Sequence, residues 1–260
     1  MKKIPLVIYT DIGDDIDDSL ALTYLVGCEN IEIIAIVCDH KDLKYSRGEA
    51  EYLLSLFGKK LPIFVRGATD GLFEIIQQYE HISVLSLGPT TQLHADLQAS
   101  PNFLQKIQRI YFQGQVVIHE NAISPDSRAY NFIQDMQAIS QILSYDVPMT
   151  FIGKFAAYEC PLYQEDILSL AQNYPGVGAY LTNEASKRRQ RLQELNTEMF
   201  EKLYGTNDAI VSFPYDLLAA MTITHPELFN IESIGTIQLI GERDTRQGIK
   251  DVAQIKALMR

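Results

Sequence analysis

Five aspartates, Asp11, Asp14, Asp15, Asp17 and Asp18, fall within eight residues, directly after the apolar run Ile4-Pro5-Leu6-Val7-Ile8-Tyr9-Thr10. Carboxylates this close repel one another, and in a partly buried site the repulsion raises their pKa values and destabilises the loop that holds them. A bound divalent cation is the simplest remedy. Asp is also a favoured helix N-cap, and its charge suits a helix N-terminus. Capping can occupy Asp17 or a neighbour, but not all five.

The elements that must position this cluster can be read on either side of it. The apolar run before it reads as a buried strand, and Leu20, Ala21, Tyr24 and Leu25 after it recur at helical spacing. Strand and helix signals then alternate. Strands are predicted at Ile31 to Cys38, Leu61 to Val65, Ile82 to Leu87, Ile110 to Phe112, Met149 to Ile152 and Ile234 to Ile240. Helices are predicted at Leu43 to Phe57, from about Gln92, at Gln134 to Leu143, at Gln164 to Ala171, over 180 to 203, and at Asp216 to Ile223. This alternation predicts an α/β fold, an open and mostly parallel Rossmann-like sheet flanked by helices. The polar segment from Val116 to Asn131 follows a strand end, where open α/β sheets place ligands, and is a candidate site loop.

The chain has 260 residues, 47% of them hydrophobic, enough for a large core, and no linker or repeat divides it. One domain spanning 1–260 is expected. A net charge of −11 argues against a nucleic-acid partner, which needs a concentrated basic surface. The one basic cluster, Lys187-Arg188-Arg189-Gln190-Arg191, alternates with Glu194, Glu198 and Glu201 and reads as a solvated helix face or as a wall of the site. Cys28, Cys38 and Cys160 are odd in number and lack CxxC spacing, so neither a disulfide framework nor a zinc-thiolate site is implied, and a reducing, cytoplasmic location is expected. No run is long enough to span a bilayer, so no membrane partner is expected.

The opening stretch resembles the signature of nucleoside hydrolases through Asp11, Gly13, Asp17, Asp18, Ala21 and Leu22. Further short matches follow in that family's order. They are Leu87-Gly88-Pro89-Thr90-Thr91, Phe112-Gln113-Gly114, Ile123-Ser124-Pro125 with Tyr130-Asn131, Pro214-Tyr215-Asp216-Leu217-Leu218-Ala219, and Thr245-Arg246-Gln247-Gly248. The resemblance spans nearly the whole chain. It implies a calcium-dependent N-ribosidic hydrolase acting on a small nucleoside or another N-ribosyl compound. Carried over residue by residue, it makes Asp11, Asp18 and Asp216 the metal carboxylates and the Ser124 carbonyl a backbone ligand. Oxygen ligands from separate loops suit Ca2+. Asp17 is then the general base for a cation-held water that attacks the anomeric carbon. Asn131 and Asp18 are implied contacts of the ribose, and a homo-oligomer is left open.

The departures from that pattern fall mainly in the sugar and base pocket. Tyr9 stands where the family commonly has the first Asp of Asp-x-Asp, and two extra residues separate Asp11 from Asp17-Asp18, leaving Asp14 and Asp15 without roles. Cys38-Asp39-His40 replaces a Gly-Gly-Asn turn, Ala129 a Glu, and Tyr215 a His that assists the leaving base in some members. Tyr215, His40 and Lys154 are therefore candidate substrate contacts, with His119 and Tyr158 as further polar options. Between the third and fourth strands the chain is short, which predicts a more open site. A haloacid dehalogenase-type phosphatase fits poorly, because the residue two after Asp11 is Gly13. A non-catalytic, calcium-dependent binder of ribosyl ligands remains the alternative, and turnover of the standard nucleosides is left open.

Overall fold

β1 (Ile4–Thr10) is buried on both faces: Leu6 and Ile8 join the core on one side of the sheet, and Val7 and Tyr9 join the core on the other. Successive strand side chains point to opposite faces, so an unbroken apolar strand fits only a sheet covered on both sides. The computed structural model describes residues 3–13, 15–119, 122–195, 197–205, 209–241 and 247–259. Asp14, Thr245 and Arg246, singled out in the sequence, lie outside the described residues.

From β1 the chain runs through α1 (Asp17–Gly27), β2 (Ile31–Cys38), α2 (Leu43–Leu56), β3 (Ile63–Val65), α3 (Asp70–Ile76) and β4 (Ile82–Ser86). α4 (Thr91–Ala99), α5 (Pro101–Lys106) and β5 (Ile107–Gln113) follow, then a short hairpin of β6 (Val116–Ile118) and β7 (Ile123–Pro125). Next come α6 (Tyr130–Ile133), α7 (Met136–Ile142), β8 (Met149–Ile152), α8 (Lys154–Tyr158), β9 (Leu162–Tyr163) and α9 (Gln164–Leu170). The chain continues with α10 (Pro175–Leu195), α11 (Thr197–Tyr204), β10 (Ile210–Ser212) and α12 (Tyr215–Thr224), and ends with β11 (Glu232–Ile234), β12 (Ile237–Ile240) and α13 (Val252–Leu258).

Among the described residues the central sheet has eight strands in the order β11-β12-β8-β5-β4-β1-β2-β3, parallel except for β11 against β12. The chain winds outward from β1 through β2 to β3, then returns to the other side of β1 with β4 and continues to β12. The order therefore reverses between β1 and β4. At such a switch point the loops leaving the carboxyl ends diverge and open a crevice. The β1–α1 loop, with its aspartates, leaves at that point, beside the Leu87–Gly88 turn after β4.

The expected α/β architecture is the observed one, with local differences. The late strand expected over Ile234 to Ile240 is a hairpin, because Gly235 takes φ +59° and folds Ile234 back onto Ile237. The segment from Val116 to Asn131 contains the β6–β7 hairpin and α6 rather than an irregular loop. The helix expected over 180 to 203 starts earlier, at Pro175, a residue suited to the first helical turn, and its described parts are α10 and α11. Between β3 and β4 lie a short turn and α3, with no long flap. No described helix is long and apolar enough to cross a membrane, and the three cysteines are free thiols.

Candidate active site

The β1–α1 loop is fixed by two isoleucines. Ile12 and Ile16 are buried in the core, 0% and 1% exposed, which holds the loop down, while Asp15 between them lines a cavity and Asp17 and Asp18 beyond them lie beside Asp216. Asp15 accepts from the backbone N–H of Ile16 at 2.7 Å, and Asp17 accepts from that of Asp18 at 3.2 Å. The N-cap of α1 is Ile16, with no side-chain cap, so none of the described aspartates stands at the N-cap position. Thr10, the last residue of β1, donates its hydroxyl to Asp18 and accepts from the Ile12 N–H at 3.1 Å. After β4, the backbone at Gly88 passes so close to Asp11 that a Cβ there would sit 2.8 Å from both the Asp11 nitrogen and Oδ1.

Asp216 arrives from the far end of the chain in the first turn of α12. One carboxylate oxygen each of Asp17, Asp18 and Asp216 lie within 4.8 Å of one another. Asp18 and Asp216 are 4% and 3% exposed, and Asp17 is partly buried beside them. Two oxygens bound to one Ca2+ at about 2.3–2.6 Å can be no further apart than about 5 Å, so this trio has the separations and the hard donors that a calcium ion requires. All three carboxyls are held well above the usual carboxylate range. Burial is the first cause, followed by repulsion from neighbouring carboxylates, Asp15 and Asp11 at Asp17, Asp11 and Asp17 at Asp18, and Asp17 and Asp18 at Asp216, with Arg188 partly offsetting the effect at Asp17. A divalent cation would remove that penalty.

The other residues singled out in the sequence are less closely gathered. Asn131 is buried at the start of α6, and its amide nitrogen donates to the Leu87 carbonyl at 2.6 Å and to Gln113 Oε1 at 2.8 Å, tying together the ends of β4 and β5 at the crevice. Ser124 lies in β7 opposite Val117, and its hydroxyl is 3.1 Å from His119 Nε2. Lys154 opens α8 directly after the carboxyl end of β8, with its Nζ 5.6 Å from the Phe155 ring centroid. His40 follows β2 and is 4% exposed, with Nδ1 folded onto the Asp42 N–H at 2.8 Å, which closes its own turn.

Tyr215 sits next to Asp216 in an aromatic wall. Its ring lies 6.0 Å from that of Tyr158 and 6.1 Å from that of Phe213, and Phe213 reaches Tyr204 at 6.2 Å. Burial and the Tyr158 hydroxyl push the Tyr215 phenol far above its usual range, so it stays protonated. Three features were not legible in the sequence. Thr10 orients Asp18. Arg188 of α10 donates to Asp15 at 2.9 Å. Gln113 anchors Asn131. Arg188 belongs to a cluster read from the sequence as a solvated helix face or a wall of the site, and nothing in a single sequence pairs it with a residue 173 positions away.

A family model described as inosine-uridine preferring nucleoside hydrolase matches residues 65–252, more than half of the chain. The matched span contains Ser124, Asn131 and Asp216 and begins after the aspartate loop. A probable uridine nucleosidase of Oryza sativa subsp. japonica is 22% identical over 87% of this chain and 78% of its own. Among solved structures, type III effector protein XopQ complexed with adenosine diphosphate ribose superposes with a TM-score of 0.80 at 16% identity, over 100% of this chain and 92% of that one. A purine-preferring ribonucleoside hydrolase from Gardnerella vaginalis superposes with a TM-score of 0.69 at 16% identity, over 98% of this chain and 99% of that one.

Proposed function

Because the chain belongs to the inosine-uridine preferring nucleoside hydrolase family, we propose that it is a calcium-dependent hydrolase cleaving the N-glycosidic bond of a ribonucleoside or a related N-ribosyl compound. The observation that carries this reading is the convergence of Asp17, Asp18 and Asp216 at the carboxyl edge of the sheet. Asp18 and Asp216, with Asp11 and the Ser124 carbonyl, are the residues that would hold the calcium. Calcium held there would supply a Lewis acid that lowers the pKa of a water and attracts hydroxyl oxygens.

This chain's own groups account for the rest. Asp17 takes the proton of the attacking water as its oxygen bonds to the anomeric carbon. The C–N bond breaks and its electron pair leaves with the base nitrogen, which takes a proton from solvent, while Asp17 returns the water's proton to solvent and is regenerated. Asp11 and Asp18 face the positive charge that develops on the sugar, and fixed carboxylates stabilise it without reorganising. Asn131, held rigidly by Leu87 and Gln113, orients the ribose. Tyr215 and Tyr158 offer a ring face and a neutral hydroxyl to the departing base, and Lys154 and His40 lie at the same sheet edge.

The test is release of free base from a panel of standard and modified nucleosides, with and without calcium. Calcium-dependent release that disappears in Asp17→Asn while calcium still binds supports the mechanism. Full activity in Asp17→Asn removes Asp17 as the base. A second reading, a ribosyl-ligand binder without turnover, is supported by the likeness to an effector protein complexed with adenosine diphosphate ribose and by Ala129 and Tyr215 at altered pocket positions. Tight ligand binding with no base release from any N-riboside selects it.

A further inference from the structure

β1 ends at Thr10, and the strands on both sides of it hold that end. On one side the Asp39 N–H, just past β2, donates to the Thr10 carbonyl at 2.8 Å. On the other the Leu87 N–H, just past β4, donates to the Tyr9 carbonyl at 2.8 Å. Thr10 is itself 3% exposed, and branching at Cβ restricts its χ1. Its hydroxyl therefore stands on a fixed post at the point where the sheet order reverses.

A hydroxyl has one hydrogen to give and lone pairs with which to accept. The Ile12 N–H takes a lone pair at 3.1 Å, and the hydrogen goes to Oδ1 of Asp18. Asp18 lies in the first turn of α1, eight residues after Thr10. One side chain thus closes the whole aspartate loop and the small turn inside it. Asp17, by contrast, accepts from a backbone N–H that belongs to Asp18. Asp18 alone of that pair is tied to a side chain rooted in the sheet.

A carboxylate already held in place loses less side-chain freedom on meeting a cation than one that swings free. Groups that hydrogen-bond a ligating carboxylate without touching the metal commonly change metal affinity by about 10–100-fold. With Oδ1 on Thr10, Asp18 keeps a carboxylate oxygen within 4.8 Å of one on Asp17 and one on Asp216. We propose that Thr10 is a positioning residue for the cation, holding the Asp18 carboxylate in the orientation that calcium requires and so setting the affinity of the site. This rests on the calcium-dependent reading of the aspartate trio.

Calcium alone, titrated calorimetrically into the full chain, tests it. Thr10→Val keeps the branched shape without the hydroxyl and is expected to bind calcium about tenfold more weakly. Thr10→Ser restores the hydroxyl and is expected to stay within about threefold of the parent. The unmet Ile12 N–H weakens the loaded and cation-free forms of Thr10→Val alike. Melting in chelator reads that loss, and the further rise that calcium brings reads the affinity. Thr10→Val with the parent's affinity, or Thr10→Ser as weak as Thr10→Val, overturns the proposal. If Thr10→Val does not fold, Thr10→Ala is held to the same two limits. Base release by the parent alongside unaltered calcium affinity in Thr10→Val sinks the role of Thr10 and leaves the hydrolase standing. A tenfold loss in Thr10→Val without base release from any N-riboside does the reverse. A parent that binds no calcium removes both.

Discussion

The guanidinium of Arg188 on α10 lies 2.9 Å from the carboxylate of Asp15, binding a helix from the second half of the chain to the loop that carries the aspartate cluster. The two side chains are 25% and 31% exposed, so the pair lies between a surface bridge and a buried one.

Arg188→Met keeps an apolar stem and removes the charge together with the hydrogen bond to Asp15. Its expected cost in urea unfolding is about 1 kcal/mol, in the range of partly screened ion pairs. Calcium affinity is expected to move the other way, tightening by about threefold, because a positive charge that opposes the cation has gone. Parallel loss of stability and of calcium affinity would mean that Arg188 acts mainly by shaping the loop.

The aspartate trio makes a second prediction about the cation-free protein. Asp18→Asn preserves an acceptor for the Thr10 hydroxyl and removes one of the buried, mutually repelling charges. Without calcium, this variant should melt higher than the parent by roughly 2–4 °C for each kcal/mol of relieved repulsion. Calcium should then raise the melting temperature of the parent and leave that of the variant nearly unchanged. Scanning calorimetry with calcium and with chelator reads both outcomes.

Much of this site was legible in the sequence because its signals are local. β2 and β8 were read to the residue, since Ile31–Cys38 and Met149–Ile152 are apolar runs with sharp ends. The aspartate loop stands out by composition alone. The convergence of Asp216 on Asp17 and Asp18 was accessible only through family resemblance, because a single sequence does not record which helix returns to which strand end. The Arg188–Asp15 pair was hidden for the same reason. The β11–β12 turn was different: Gly235 was a visible turn signal inside an apolar run, and it outweighed the run.

Asp126 fixes the base of the hairpin that carries Ser124. It accepts from Gln115 Nε2 at 2.5 Å and from Arg128 Nη2 at 2.7 Å, and its own N–H donates to the Gln115 carbonyl at 3.0 Å. The Arg128 side chain is the main reason its carboxyl is held down at about 2, below its ordinary 3.8. A depressed carboxyl stabilises the fold fully above its unfolded pKa and loses that contribution as pH falls through the folded one. Asp126→Asn should therefore cost about 1–2 kcal/mol at neutral pH. The difference from the parent should shrink as pH drops from about 4 toward 2. Urea titrations across that interval check it. A gap independent of pH would show that geometry, not charge, anchors the hairpin.

Tyr9 departs from the family's Asp-x-Asp, and the structure gives the departure a physical cause. Its ring is fully buried in the core on the face opposite Ile8, and its hydroxyl donates to Asp96 of α4 at 2.8 Å. Asp96 also accepts from Thr69 at 2.6 Å and from Gln92 at 2.8 Å, while the Gln92 backbone N–H donates to Asp39 at 2.9 Å. Tyr9 is thus an anchor of a buried polar network beneath β4. Tyr9→Phe keeps the ring and loses one hydrogen bond among three, an expected cost of about 1 kcal/mol. Tyr9→Asp, which restores the common pattern, empties a ring-sized space and sets a second carboxylate beside Asp96. Its expected cost exceeds about 3 kcal/mol. Chemical denaturation of the two variants measures the ratio. A Tyr9→Asp protein as stable as Tyr9→Phe would mean that residue 9 faces the crevice, as the family pattern would have it, and not the core.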